Sequence, residues 1–339
     1  MKEKPLPASK AKITEYKVAI IGCGLIAGGY DDDPVDGMVR THALAYQKNV
    51  DTSLFAVVDQ DIETARRFAD KWGASYCYQS VVEMLEEQKP SIVSICTPDD
   101  HHAEALEACL KSGSVQGVWC EKPVTTNLDQ ARTFIKDYES ANKTLLVNYP
   151  RPYAPKLASL KMQVLAGDYG SVQKVVAYYT KGIMHNGSHA LDLLIGWFGA
   201  PISAQVLRAM VDFADRDPTV DALVNLQGVP VYLMGLDEAC YSQFEIDIFC
   251  STARVSLTHN GRYIKMQRLH PESGPGGNNY LDEDILKIGS GTSHAMSTAL
   301  ETLIASLDAP KSLMQGDHDL CVMEVCEQLA NAGRLLLQD

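Results

Sequence analysis

The stretch YKVAIIGCGLIA, Tyr16 to Ala27, decides how the rest of the chain is read. It opens as a continuous apolar run bounded by glycine, the pattern of a strand covered on both faces. It closes as Gly22-x-Gly24-x-x-Ala27. The first glycine makes a tight turn, and the second lets the backbone approach a pyrophosphate. The small third residue permits close packing of helix on strand. A pyrophosphate held there would accept from the N–H groups of a helix N-terminus. Gly22, Gly24, Leu25, Ile26 and Ala27 are therefore the expected dinucleotide loop. Glycines also end many strands, so the placement of the motif carries the reading.

That placement becomes clear moving outward. Four more short strands are expected at Leu54–Asp59, Ser91–Thr97, Gly117–Cys120 and Leu145–Asn148. Helical patterns separate them at Ile62–Trp72, Val81–Glu87, His102–Ser112 and Asn127–Ala141. Such alternation predicts parallel βαβ units and a doubly wound Rossmann domain over residues 16–148. Residues 1–15 are polar and read as a loose tail, with no apolar core of an export signal. The second strand ends on Asp59, whose carboxylate can accept from ribose hydroxyls and would repel a 2′-phosphate. NAD is thus expected rather than NADP, although Asp59 could instead simply cap the next helix. The acidic segment GGYDDDPVDGMVRTH, residues 28–42, reads as a solvated loop pointing away from the diphosphate. A lid over the cofactor is its second reading.

The second half has a different rhythm. A helix is expected near Ala154–Ala166, a strand at Val172–Tyr179 and a helix at His185–Trp197. Strands then follow without helices between them: Ile202–Val211, Asp221–Leu226, Pro230–Leu236, Phe244–Phe249 and Arg254–Thr258. Asn260-Gly261 is the favoured two-residue hairpin dipeptide. PESGPGGNN, from residue 271, reads as a loop, and helices at Ser293–Ser306 and Asp319–Leu336 close the chain. The expected second domain, 149–339, is α+β with a large open, mainly antiparallel sheet.

Composition narrows the function classes. The 339 residues are 46% hydrophobic and 22% charged, a soluble two-domain profile. No apolar run approaches the ~20 residues that span a bilayer. The nine scattered cysteines contain no C-x-x-C pair and suit a reduced, cytoplasmic protein. A net charge of −13 argues against nucleic acid or an anionic membrane as main partner.

At Glu121-Lys122-Pro123 a buried strand runs straight into EKP. With GCGLIA, Thr97-Pro98, His102, NYPRPY, LAGDYGSVQKV and GSHALD, the chain resembles the Gfo/Idh/MocA oxidoreductases, the glucose–fructose oxidoreductase and inositol dehydrogenase family. The likeness covers nearly the whole chain. It implies a Rossmann domain followed by an α/β domain whose open sheet serves as a subunit interface, in a homodimer or homotetramer. It sets Thr97, Pro98, His102, Glu121 and Lys122 beside the cofactor. A lysine at a strand's carboxyl end can hydrogen-bond a substrate oxygen, and burial would lower its pKa toward a working range. The plain alternative is a surface lysine paired with Glu121. After the fifth strand, Asn148, Arg151 and Tyr153 are candidate substrate contacts, with interdomain packing the other reading of Arg151 and Tyr153.

The family pattern D-x-G-x-H-x-x-D is met here by His185-Asn186-Gly187-Ser188-His189-Ala190-Leu191-Asp192. The resemblance makes His189 the acid–base partner of Lys122 and makes Asp192 an orienting residue. His185 stands where the family has aspartate, and it could contact a hydroxyl or carry a second proton. Asn186 and Asp192 join the expected substrate side. A metal at His185, His189 and Asp192 would need helical i, i+4 geometry, which Asn186-Gly187 disfavours; no metal is expected. The implied activity is NAD-dependent hydride transfer to or from a secondary alcohol of a sugar, sugar nucleotide or cyclitol. Two alternatives remain: a cofactor-bound sensor or regulatory subunit without turnover, and a related imine or pyrrole reductase.

Overall fold

The computed structural model describes residues 15–33, 35, 37–270, 277–307 and 316–338. The expected N-terminal tail, apart from Glu15, and most of the PESGPGGNN loop lie outside these residues.

Strands β1 (Tyr16–Ile21), β2 (Thr52–Val58), β3 (Tyr76–Tyr78), β4 (Ile92–Ile95), β5 (Gly117–Glu121) and β6 (Thr144–Asn148) form one sheet. Its order is β3-β2-β1-β4-β5-β6 and every pair is parallel. The strand order reverses between β1 and β4, which opens a crevice at their carboxyl ends. Strand β3 escaped the sequence reading because three residues are too few to show a period. Helices α1 (His42–Lys48), α2 (Ile62–Trp72), α3 (Val81–Gln88), α4 (His102–Lys111) and α5 (Leu128–Ser140) connect the strands. Local chemistry sets their starts. Thr41, Asp61, Ser80 and Asn127 each accept a backbone N–H from the first turn, as N-caps do.

The glycine loop departs from a simple strand–helix turn. One helical turn follows Gly24, with Gly28 N–H reaching the Gly24 carbonyl. The chain then leaves and returns: Ala43 N–H donates to the Ala27 carbonyl at 2.8 Å. Residues 28–41 are thus an excursion out of the first helix, which resumes as α1. Asp31, only 4% exposed, ties the excursion together. It accepts from the Arg40 guanidinium at 2.9 Å and the Thr41 hydroxyl at 2.7 Å. Asp32 and Asp33 face solvent as expected. The expectation that this segment points away is corrected, because Tyr30, Val39 and Arg40 line the central cleft. An internal ion pair neutralises the acid that turns inward, so the charge argument did not apply to it.

After α6 (Pro155–Ala166), the second sheet comprises β7 (Val172–Tyr179), β8 (Pro201–Ala214), β9 (Asp217–Leu226), β10 (Val229–Gly235), β11 (Phe244–Cys250), β12 (Ala253–Thr258), β13 (Tyr263–Arg268) and β14 (Leu286–Gly289). Its order is β14-β13-β12-β11-β7-β10-β9-β8, antiparallel except for β7 with β10. Alternating burial along β9 and β11 puts one face on the core. Helices α7 (Ser188–Phe198) and α9 (Gly316–Leu336) cover that face. The hairpin at Asn260-Gly261 is longer than two residues. Thr258 pairs with Tyr263, and His259, Asn260 and Gly261 all have positive φ.

The two sheets fall on either side of the expected division at residue 148, but one helix crosses it. Helix α8 (Ala295–Leu307) returns to the first sheet, where Met296, Ala299, Leu300 and Leu303 pack with Val18, Ile20, Val57 and Trp119. The second segment therefore closes one face of the Rossmann sheet, which a strictly sequential division cannot show.

Gly22 has φ +89°, and a Cβ there would lie 2.7 Å from the Cys96 backbone. Gly22→Ala is expected to cost at least about 2 kcal/mol, from left-handed strain and the collision together. Urea unfolding with an unchanged m-value would measure it, and an unchanged midpoint would refute the assignment.

Candidate functional site

A cleft of about 550 Å³ lies between the carboxyl ends of the first sheet and the helical side of the second. Its floor is built from strand ends: Thr97 after β4, Glu121 and Lys122 at the end of β5, Asn148 at the end of β6. Arg151 follows β6, and Lys181, His185, Asn186 and His189 approach from the second domain. Parallel pairing of β4, β5 and β6 explains why residues so far apart in sequence meet here.

Behind the floor runs a buried polar chain. Trp119 Nε1 donates to Asn148 Oδ1 at 3.1 Å, and Asn148 Nδ2 donates to Glu121 Oε1 at 2.6 Å. His42 Nε2 meets the same oxygen at 3.0 Å, and its Nδ1 meets Ser94 Oγ at 2.8 Å. Tyr46 closes the chain on Ser94 at 2.7 Å. Burial alone would raise the Glu121 carboxyl, but the bonds from His42 and Asn148 and the nearby Lys122 charge outweigh it and hold it low. Glu121 is thus an ionised carboxylate fixed from behind. The sequence reading missed His42, Ser94 and Tyr46. The signal available was the polar pair Thr41-His42 opening an otherwise apolar helix.

Lys122 donates from Nζ to the His185 carbonyl at 2.9 Å. Burial lowers its pKa below the ordinary lysine value, against the opposing pull of Asp99, Glu121 and Asp217. His185 lies in a π-helical turn, Gly182–Gly187, ahead of α7, so it and His189 do not share one regular helix. Asp217, at the start of β9, accepts the N–H groups of Met184 and His185 at 2.7 and 2.8 Å and so holds that turn. No motif or period marks Asp217 in the sequence, where it lies 32 residues beyond His185. The His185 ring stacks on Phe213 with centroids 4.8 Å apart. His189 meets Tyr149 edge-on at 5.5 Å, and its Nδ1 is buried without a hydrogen-bond partner. Burial, with Arg151 and Lys122 adding to it, drives the His189 pKa well below the ordinary histidine value. Its imidazole is therefore neutral near pH 7.

Other expected site residues fall elsewhere. His102 is buried, with its ring nitrogens 2.7 Å from the Pro123 carbonyl and 3.0 Å from the Thr97 carbonyl. It braces the two loops and does not line the cleft. Asp192 is also set back from the cleft, 2% exposed, with Oδ1 on His318 Nε2 at 2.8 Å. The residue expected on the substrate side is thus held in a buried pairing that does not line the cleft. Tyr153 packs into the apolar layers and does not line the cleft. Pro98 borders a neighbouring cavity that also reaches Lys122. Asp59 accepts Cys23 N–H at 2.9 Å and Asp61 N–H at 3.0 Å, which fixes a carboxylate beside the glycine loop. It does not cap α2; Asp61 does. A Cβ added at Gly24 would meet nothing within 4 Å, so the backbone there is open. Among the described residues, donor atoms of Asp192, His318 and Asp319 lie within 4.8 Å of one another. These are not the three residues weighed for a metal from the sequence.

Residues 16–149 match a family model described as oxidoreductase family, NAD-binding Rossmann fold. That model, Gfo/Idh/MocA, covers the segment that forms the first sheet. Among curated relatives, D-glucoside 3-dehydrogenase of Escherichia coli is 30% identical over 48% of this chain and 42% of its own length. Inositol 2-dehydrogenase of Rhizobium meliloti is 28% identical over 40% of each chain. The matches thus span under half the length of these relatives. The fold extends further. A UDP-N-acetylglucosamine 3-dehydrogenase from Acidithiobacillus ferrooxidans superposes over 96% of this chain and 99% of its own, with a TM-score of 0.70 at 21% identity. The fold of both sheets is therefore shared with that structure. No helix among the described residues is long and apolar enough to cross a membrane.

Partial desolvation of the still solvent-exposed His185 ring, then Lys122 and Lys181, lower its pKa from 6.5 to about 4, a shift that solvent screening weakens as a stability term. An unfolded chain takes up this proton near 6.5, whereas the folded one resists until about 4. Stability from the neutral ring is complete above that window and is lost as pH falls through it. His185→Gln is expected to flatten the acid limb of urea midpoints across this range. Parallel wild-type and variant limbs would refute it.

Proposed function

We propose that the protein is an NAD-dependent oxidoreductase that moves a hydride to or from a secondary alcohol or ketone carbon of a small carbohydrate-like substrate. Sugars, sugar nucleotides and cyclitols are its substrate class. The supporting observation is that Lys122 and His189 line the same cleft as Thr97 and Glu121, at the carboxyl ends of the Rossmann strands. Bound NAD would accept the hydride. The chain's residues handle the oxygen and its proton. Lys122 Nζ donates to the substrate oxygen and stabilises charge developing on it. His189, neutral and without a partner at Nδ1, exchanges the hydroxyl proton. To reach the substrate oxygen, Lys122 exchanges its bond to the His185 carbonyl for one to the ligand. Asp59 favours NAD, since a fixed carboxylate there repels a 2′-phosphate.

Subunit association is proposed through the second sheet. Its edge strand β8 exposes Ile202, Leu207 and Phe213 at 65, 55 and 50%, more apolar surface than a solitary edge usually shows. Light scattering of the wild type and Leu207→Asp would test this: an unchanged mass rules out an interface there.

NAD reduction across a panel of sugars, nucleotide sugars and cyclitols, followed at the nicotinamide band, tests the activity. Lys122→Ala is expected to lower kcat by about 100-fold or more; a variant at full rate would remove the lysine from the mechanism. Tight NAD binding without turnover of any substrate would favour a regulatory subunit instead. Asp59→Ser is expected to raise the NADP-to-NAD ratio of kcat/KM by roughly 10-fold, and an unmoved ratio would place cofactor choice elsewhere.

A further inference from the structure

Four long cationic side chains line the cleft: Arg40, Lys122, Arg151 and Lys181. Three have protein partners. Arg40 pairs with Asp31 at 2.9 Å and Lys181 with Glu238 at 2.9 Å. Lys122 donates to the His185 carbonyl. Lys122 and Arg151 both lack an ion-pair partner among the described residues, but Lys122 is hydrogen-bonded, whereas the Arg151 Nε is buried without any hydrogen bond. Its guanidinium lies 3.6 Å above the Phe244 ring, a contact that orients the charge without neutralising it.

A guanidinium keeps its proton in proteins, so the unmet charge cannot be relieved by deprotonation at neutral pH. An unpaired buried charge is costly. Asp192 is the carboxylate that acts on Arg151, yet no ion pair joins them, and Asp192 Oδ1 is taken by His318. The cofactor's diphosphate does not fill the role. Its loop follows β1, whereas Arg151 follows β6, three strand spacings across the sheet, or about 14 Å. Arg151 instead sits beside the proton-transfer groups, where it is the strongest charge acting on His189.

We propose that the substrate carries a carboxylate close to its reacting carbon, and that Arg151 binds it. This rests on the oxidoreductase reading and narrows its substrate class to hydroxy acids and sugar acids. A planar carboxylate matches the forked guanidinium. One unpaired cation balances one negative charge, whereas a phosphate ester carries nearly two. The ligand carboxylate completes the site electrostatically, and the stacked Phe244 fixes the plane in which it docks. The second charge near His189 is then neutralised only when substrate is present.

The test uses the full chain with NAD and matched compounds: D-gluconate and D-glucuronate against D-glucitol and D-glucose, with glucose 6-phosphate as a further arm. In the wild type, kcat/KM for the acids is expected to exceed that for the neutral partners by about 100-fold. Arg151→Met is expected to bring that ratio near one, and Arg151→Lys to leave it in between. A preference for neutral compounds or for the phosphate ester would overturn the proposal, as would a ratio that Arg151→Met does not move. If no compound reduces NAD, the oxidoreductase reading fails, and binding decides this inference separately. Gluconate should then still perturb the fluorescence of bound NADH in the wild type and not in Arg151→Met; no gluconate effect on the wild type would sink it. Should Arg151→Met not fold, Arg151→Lys supplies the same comparison.

Discussion

The Glu121 carboxylate is the point on which the site depends. It is an ionised group in a low-dielectric interior, and such a group persists only where hydrogen bonds replace its water. His42 and Asn148 provide those bonds to one oxygen. Through them Glu121 joins the start of α1, the end of β6 and, by way of Ser94, the middle of β4. Trp119 and Tyr46 then anchor the chain in the apolar core beneath. The neighbouring Lys122 inherits a fixed base, because its backbone leaves the same strand end.

This arrangement also explains the division of labour between the two halves. The Rossmann sheet supplies rigid strand ends, and the second domain supplies the adjustable side chains. The π-helical turn places His185 and His189 in different local geometries, so their rings find different aromatic neighbours, Phe213 and Tyr149. Asp217 reaches across from β9 to satisfy that turn's free N–H groups. A carboxylate at the position of His185 would add negative charge beside Asp217; a histidine held neutral avoids it. The excursion 28–41 adds a third wall, fixed internally by Asp31 and to the second domain by Val39 N–H on the Ser293 carbonyl.

Electrostatically, the cleft is unbalanced in one place. Its other long cations are paired or hydrogen-bonded within the protein, and Glu121 is satisfied from behind. Arg151 holds the remaining charge against Phe244. Sites built this way are preorganised, since the cost of orienting and drying the cation is met during folding rather than during binding.

Much of the fold was legible because it depends on local periodicity. Apolar runs ending in glycine, capped amphipathic helices and consecutive strands identify the two sheet types without any tertiary information. Lys122, Glu121, Thr97, Asn148 and His189 were legible as site candidates because motifs place them at strand ends or beside α7. The tertiary structure alone decided the rest. Which buried polar atoms find partners is set by contacts between distant segments: His42 with Glu121, His102 with two carbonyls, Asp192 with His318. Spacing cannot encode such pairings. Nor can it show that α8 returns to the first sheet, or that the acidic excursion turns one neutralised aspartate inward. The sequence determined which elements form and which groups are chemically able; packing determined which groups are satisfied and which, Arg151 Nε and His189 Nδ1 among them, are left without a partner.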